Sequence, residues 1–354
     1  MKRCWRNWLS VSAFRVAGLE VFYFLTTSWL HMACADAAGS VTSIFTPSST
    51  PAEEVYANAV LVLAICAGIF LTVGGFLVYT IIRFRQRPDD DGREPPQIYG
   101  SNQIELAWTV IPIVIVFVLI LVTARTIANV QGAIRPSAAL QVTVIGHQWW
   151  WEIRYPEFGV VTANELHVPV SEPTERRPTF LTLESADVVH SFWAPQLAGK
   201  TDLIPNRRNL MWIEPKQPGV YVGNCAEYCG VQHAHMLLRV IAQPADAFAQ
   251  WIQTQQRLPT EDERTQPGRS VFFSTACINC HAINGTRANG RLGPNLTHLM
   301  SRRTLAAGVV ANTPEHLRAW VRDPQALKEG SLMPSMQLTA NELDQVVAYL
   351  LTLK

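Results

Sequence analysis

The chain has 354 residues, with 29 Lys and Arg against 28 Asp and Glu, and a formal charge of +1. So balanced a composition gives no polyelectrolyte partner anything to hold and excludes nucleic acid. The length is too great for one ordinary domain and predicts two or three, while a mean hydropathy of +0.09 points to membrane segments.

The first segment, 1–35, places Lys2, Arg3, Arg6 and Arg15 ahead of an apolar stretch at 21–30. A-C-A at 33–35 then offers a cleavage site before Asp36, the pattern of a signal peptide. Cys34 as a lipid attachment site is the alternative, but His31 and Met32 make a poor lipobox. Two uncharged runs follow, 55–82 and 106–124, the second read as a span to about 128. Each exceeds the ~18 apolar residues that argue for a transmembrane helix. Arg83, Arg85, Arg87 and Arg93 lie between them, whereas 36–57 carries no Lys or Arg. Positive charge on the inside then predicts a hairpin over 36–135, its loop cytoplasmic and its outer ends periplasmic. Pro112 falls near the start of the second span, where a missing hydrogen bond is tolerated.

From 136 to 244 short strand-like runs alternate with Pro and Gly: 141–145, 149–155, 165–170, 179–183, 210–213, 220–222 and 237–241. That spacing predicts a β-sandwich or barrel. Within it, C-A-E-Y-C-G-V-Q-H-A-H-M at 225–236 gathers thiols, imidazoles and a thioether, a soft-ligand set suited to copper. A Cys225–Cys229 disulfide or a zinc site are the other readings. Both leave Met236 unexplained, and His233 and His235 are too close in sequence for the usual zinc pair. A short helix at 245–256 and a polar linker complete 245–266. After it comes C-I-N-C-H at 277–281, the c-type haem attachment sequence. A thioredoxin-like pair is the rival, but it normally follows a strand, and 268–276 reads as a short helix. L-G-P-N-L at 292–296, L-M-P at 332–334 and a helix at 340–353 complete the domain 267–354. Seven cysteines do not make a disulfide framework here: four sit in these two motifs, and Cys4, Cys34 and Cys66 are scattered.

D-V-V-H-S at 187–191 followed by the 225–236 motif resembles the binuclear copper A centre of cytochrome c oxidase subunit II. That resemblance implies a cupredoxin-like Greek-key sandwich in which Cys225 and Cys229 bridge two coppers. His190 and His233 each cap one copper, Met236 is a weak ligand, and Glu227 gives its backbone carbonyl to copper and its carboxylate to magnesium. His235 is then a solvated or supporting histidine. I-E-L-A-W-T at 104–109 is similar to the family stretch whose glutamate, here Glu105, lies at the mouth of a proton path in subunit I; a plain helix-boundary charge is the alternative. G-H-Q-W-W-W at 146–151 resembles the aromatic stretch where electrons enter, through Trp149, with Trp150 and Trp151 packing. K-T-D-L-I-P-N-R at 200–207 is similar to a loop facing the catalytic subunit, with Asn206 where relatives have Gly; this leaves the role of Arg207 unassigned.

The carboxyl-terminal motifs resemble an all-α class I cytochrome c, implying thioethers at Cys277 and Cys280 and axial ligands His281 and Met333. Met336 and His298 are the other candidates for the sixth position, and the Pro294 carbonyl would orient the His281 imidazole. A multidomain chain of this order is similar to the caa-type bacterial oxidases. The resemblance implies electron transfer from a cytochrome c or a cytochrome bc complex, through haem c and the copper pair, to haem a of subunit I. Oxygen reduction and proton pumping would occur there, with subunit III and membrane lipid as further partners. The rivals are a copper-free quinol oxidase subunit, a nitrous-oxide-reductase-type copper domain, and a membrane-anchored electron carrier not assembled with an oxidase.

Overall fold

The computed structural model describes residues 43–354, except 86–93, 95, 96, 98, 134, 137, 138, 260 and 261. The signal segment expected at 1–35, with Cys34, and the loop residues Arg87 and Arg93 lie outside the described residues. Helices α1 (Thr50–Arg83) and α2 (Asn102–Gln131) form a hairpin whose apolar side chains point outward all round. A helix of that character is stable only against lipid or a partner's helices. Its 34 residues span roughly 50 Å at 1.5 Å per residue, ample for a hydrocarbon layer of ~30 Å. Pro112 lies inside α2 without ending it.

The hairpin is joined to the next domain at one end by polar contacts. Ser49, just ahead of α1, bridges to Pro215 through the backbone, and Trp212 Nε1 donates to the Val130 carbonyl at 2.7 Å. Glu214 is 2 % exposed yet fully engaged. Its carboxylate takes two hydrogen bonds from Arg176 at 2.8 Å, one from Thr50 Oγ1 at 2.5 Å and one from Ser171 Oγ at 3.2 Å. Burial opposes its charge, but these donors outweigh it and hold the carboxyl below the ordinary range.

Ten strands then build two facing five-stranded sheets. They are β1 (Leu140–His147), β2 (Trp150–Tyr155), β3 (Val160–Ala163), β4 (Glu165–Pro169) and β5 (Thr179–Ser185), then β6 (His190–Trp193), β7 (Thr201–Leu203), β8 (Asn209–Ile213), β9 (Gly219–Cys225) and β10 (Leu237–Gln243). One sheet runs β3-β2-β1-β5-β8 and the other β4-β10-β9-β6-β7. Between them Val144, Trp151, Ile153, Leu166, Leu181, Leu183, Phe192 and Leu238 form the core. Seven of the ten strands follow the sequence reading. Strands β3, β6 and β7 have three or four residues each, too short for alternation to register.

Helix α3 (Ala245–Gln255) does not leave the sandwich: Phe248 and Ile252 enter its core, and Trp251 stacks on His167 at 4.0 Å. The carboxyl-terminal domain comprises α4 (Gln266–Ser274), α5 (Cys277–Cys280), a two-stranded hairpin of β11 (Thr304–Leu305) and β12 (Val310–Ala311), then α6 (Pro314–Arg322), α7 (Pro324–Leu327) and α8 (Ala340–Leu350). Helices α4 and α8 cross so closely that a Cβ on Gly268 would lie 1.8 Å from the Gln345 carbonyl oxygen. Thr339 and Glu342 form a capping box that starts α8. The hairpin and α6 and α7 carry no signature that the sequence reading used.

Replacing Glu214 with Ala leaves Arg176, Thr50 and Ser171 facing a buried gap. The expected cost is about 2–3 kcal/mol, read as a lowered denaturation midpoint of the purified membrane protein. An unchanged midpoint would show that the junction is not held this way.

Candidate metal and haem centres

The 225–236 loop and the start of β6 close on one another at one end of the sandwich. Cys225 ends β9, pinned by its N–H on the Met236 carbonyl at 3.0 Å, and His190 opens β6. Two of the expected ligands therefore sit at strand ends rather than on loops. The Cys225 and Cys229 sulfurs are 3.8 Å apart. His190 Nδ1 lies 3.9 Å from Cys225 Sγ, and His233 Nδ1 lies 3.6 Å from Cys229 Sγ. Met236 Sδ is 3.9 Å from Cys229 Sγ, and the Glu227 carbonyl oxygen is 3.2 Å from Cys225 Sγ. His190, Cys225, Cys229 and Met236 are buried, whereas the Glu227 side chain is exposed. His190, Cys225 and Cys229 form a group whose ligand atoms lie within 4.8 Å of one another.

Which nitrogen of His190 faces the sulfurs is set by the other one. Nε2 bonds Asp187 Oδ1 at 2.7 Å, leaving Nδ1 for the cluster. Asp187 Oδ2 accepts from the Gln148 amide at 2.6 Å, so one carboxylate ties the aromatic turn to a ligand. Burial opposes the Asp187 charge, but His190 and the two amides hold its carboxyl below the ordinary range. Beneath the ring lies Gly146, where a Cβ would come within 2.7 Å of His190 Cδ2.

Hydrogen bonding from Cys229 brings the Cys225 thiol down to about 3 against the effect of burial. That same neighbouring charge, with burial, pushes Cys229 far up. One thiolate forms readily and the second does not, unless a cation is shared between them.

The three consecutive tryptophans divide their work. Trp151 is fully buried, edge-on to His190 at 6.1 Å between centroids. Trp150 stacks on His147 at 4.3 Å and packs with Ala163 and Ala307. Trp149 is half-exposed and donates its indole N–H to the Cys229 carbonyl at 2.9 Å, a carbonyl it shares with Gln148 Nε2. His235 is exposed and bonds Gln232 Oε1 at 2.7 Å, away from the sulfurs. Glu105 is exposed in the first turn of α2, roughly 38 Å along that helix from Val130, and so at the end far from the sulfur cluster. Asn206 adopts φ 62°, a left-handed backbone that Asn tolerates better than most residues other than Gly.

In the carboxyl-terminal domain, Cys277 and Cys280 bracket α5 as half-buried free thiols. His281 follows, with Nδ1 on the Pro294 carbonyl at 2.8 Å, leaving Nε2 free to ligate. Burial holds this imidazole neutral against the pull of that hydrogen bond, and Arg302 adds to the effect. Gly293 packs under the ring, where a Cβ would lie 2.6 Å from His281 Cε1. Met333 and Met336 are both half-buried, and the Met333 carbonyl accepts from Gln325 Nε2 at 3.2 Å. His298 is spent elsewhere. Its Nδ1 meets the Lys354 carbonyl oxygen at 2.7 Å, and its Nε2 meets the Gln255 and Arg257 carbonyls at 3.0 Å. It joins the end of α3 to Lys354 beyond the last helix and has no nitrogen left for iron.

Residues 162–243 match the family described as cytochrome c oxidase subunit II, periplasmic domain, and 38–125 match its transmembrane domain. Residues 265–354 match cytochrome c. Cytochrome c oxidase subunit 2 of Alkalihalophilus pseudofirmus is 34 % identical over 316 residues, 87 % of this chain and 90 % of that one. The chain belongs to the cytochrome c oxidase subunit II family. Its counterpart from Bacillus subtilis is 31 % identical over 332 residues, covering 88 % and 92 % of the two chains. The solved periplasmic domain of subunit II of cytochrome oxidase from Bradyrhizobium japonicum is 29 % identical and covers 35 % of this chain and 97 % of its own, with a TM-score of 0.32. As a subunit II fused to a cytochrome c domain, the protein is the electron-input subunit of a membrane-bound oxidase, with two spans and a periplasmic domain.

Sequence reasoning used Asp187 only as a motif letter; its spacing three residues before His190 was the signal for its role. Replacing Asp187 with Asn removes the charge that orients His190. Copper affinity, measured by competition with a chelator, is expected to fall about 10–100-fold; unchanged affinity would show that the ring is held by packing alone.

Proposed function

We propose that this subunit II holds a binuclear copper A centre and one covalent haem c, and delivers electrons to haem a of subunit I. When bound, the copper pair and the haem each supply one-electron redox chemistry. The ligands assigned to copper are Cys225 and Cys229 as bridges, His190 and His233 through Nδ1, Met236 through sulfur and Glu227 through its carbonyl. What supports this reading is the convergence of these atoms about one sulfur pair, with spacings of 3.2–3.9 Å. The donor chemistry fits: two buried sulfurs that cannot both ionise alone are matched by a shared pair of cations. The exposed Glu227 carboxylate is assigned to magnesium at the boundary with subunit I.

For haem c, Cys277 and Cys280 provide the thioethers, and His281 Nε2 and Met333 the axial ligands. Arg302 supports a cofactor here: its Nε is buried with no partner among the described residues, a donor suited to an anionic edge of a porphyrin. Methionine opposite histidine raises a haem potential relative to two histidines, which suits a donor to copper. Trp149, bonded to the carbonyl of a bridging cysteine, is assigned as the residue at which electrons enter the copper site, and Glu105 as the mouth of a proton path. The domain limits are 1–35 for a signal peptide, 36–135 for the hairpin, 136–244 for the copper domain, 245–266 for the helix and linker and 267–354 for the cytochrome. Subunits I and III are the partners, with a cytochrome c or a cytochrome bc complex as donor.

Metal analysis and electron paramagnetic resonance of the purified holoprotein are expected to give two coppers per covalent haem and a resonance from an electron shared by both nuclei. Zinc, or a Cys225–Cys229 disulfide, in place of copper would overturn the assignment. Glu105→Gln is expected to slow oxygen reduction by the assembled oxidase while copper and haem contents stay constant. Turnover equal to the parent's would remove Glu105 from the proton path.

A further inference from the structure

Lys328 precedes the Met333 of the cytochrome domain by five residues and is only 4 % exposed. An ammonium has three protons to donate, and three carbonyls receive them: those of Trp149 at 2.8 Å, His235 at 2.8 Å and Ala306 at 3.1 Å. The first belongs to the aromatic turn and the second to the stretch between His233 and Met236. The third is the cytochrome domain's own, from the turn between β11 and β12. Burial draws the Lys328 ammonium down to about 7, so its charged form persists only where the lost hydration is replaced. Here one arrangement of three segments does that. Sliding the domains past each other would leave the buried amine without its acceptors.

Neighbouring contacts act on the same two loops. Gln232 Nε2 donates to the Glu329 carbonyl. Gly330, at φ +81°, lets the backbone press against Val231, where a Cβ would come within 2.8 Å of Cγ2. Gln325 then closes the cytochrome loop on itself, donating to the Ser331 and Met333 carbonyls and accepting from the Gly330 N–H. The Met333 loop and the copper-ligand loop are thus joined through a side chain that belongs to neither ligand set.

We infer that Lys328 is a positioning residue for electron transfer within the chain: it locks the Met333 loop onto the Trp149 turn and fixes the separation of the two redox sites. The inference rests on the haem and copper assignments above. Electron transfer between buried centres falls steeply with separation, so a lock that prevents slippage of an ångström sets the rate. It also makes that rate independent of diffusional docking of the tethered domain.

The test uses the intact oxidase with haem and copper loaded. A flash-activated ruthenium reductant reduces haem c, and its reoxidation is followed optically. In Lys328→Met, which keeps the stem and removes the donors, transfer is expected to slow by about tenfold or more and to become sensitive to ionic strength. Lys328→Arg, which keeps charge and donors, is expected to recover part of the rate. Copper content, the copper resonance and the haem spectrum stay as in the parent, while amide exchange rises in 148–150 and 325–333. Transfer within about twofold of the parent, with the same indifference to salt, overturns the inference. Should Lys328→Met lose either cofactor, Gln232→Ala decides on the same measurement: slower, salt-sensitive transfer supports the lock, and the parent's rate overturns it. A parent protein without a copper pair would instead overturn the ligand assignment, and metal analysis shows that before any flash is fired.

Discussion

Two sulfurs 3.8 Å apart in a buried site set the terms for the rest of this molecule. One of them ionises with help from its neighbours, and its charge then forbids the second. On the proposed assignment, cations held between them would lift that restriction, and metal binding would be coupled to the stability of the closed loop. The sandwich's task is to hold the two sulfurs at this spacing whatever their charge. It does so with strand ends: Cys225 is the last residue of β9, backbone-paired to Met236 across the start of β10. A loop alone would have to lose its conformational entropy each time.

The two histidines whose second nitrogen is fixed obey a common rule. His190 bonds Asp187 through one nitrogen and rests on Gly146; His281 bonds the Pro294 carbonyl and rests on Gly293. In each case a hydrogen bond occupies one nitrogen and leaves the other for the proposed metal, and a missing side chain lets the ring lie against backbone. Rings fixed in this way reorganise little when the metal changes charge, which is the property that an electron-transfer site needs.

The candidate ligand residues could be named from the sequence because they depend on residue type and short spacing, both of which survive without a fold. So were the membrane hairpin and most strands, whose periodicity is local. Strands β6 and β7 were not, because three or four residues carry no alternation, although β6 begins with His190 itself. His298, an alternative to Met333 by its place downstream of the haem motif, has its nitrogens taken by carbonyls of Gln255, Arg257 and Lys354. Those acceptors are remote in sequence from His298. Lys328 was invisible for the same reason, since its partners lie 179, 93 and 22 residues away. A lysine in an otherwise polar segment reads as a solvated charge until the fold removes the water.

The contact between the two redox domains follows a division of labour. Trp150 with Ala163 and Ala307 forms a small apolar patch, which favours association but would tolerate sliding. Register comes from two buried polar side chains, each bonded to the other domain's backbone. Lys328 of the cytochrome enters the carbonyls of the copper domain. Glu165 of β4, 1 % exposed, accepts the Arg303 and Thr304 amides and the Thr304 hydroxyl through Oε1. Neither side chain adds much net stability once its desolvation is counted, and Glu165 Oε2 is itself buried without a partner among the described residues, yet displacing either one strips the bonds that remain in a dry interface. Helix α3 packs into the sandwich and is joined through His298 to Lys354 at the end of the cytochrome domain. The fused cytochrome is therefore better described as a docked module than as a donor on a leash, and the tether's high effective concentration serves assembly of this interface more than each electron transfer.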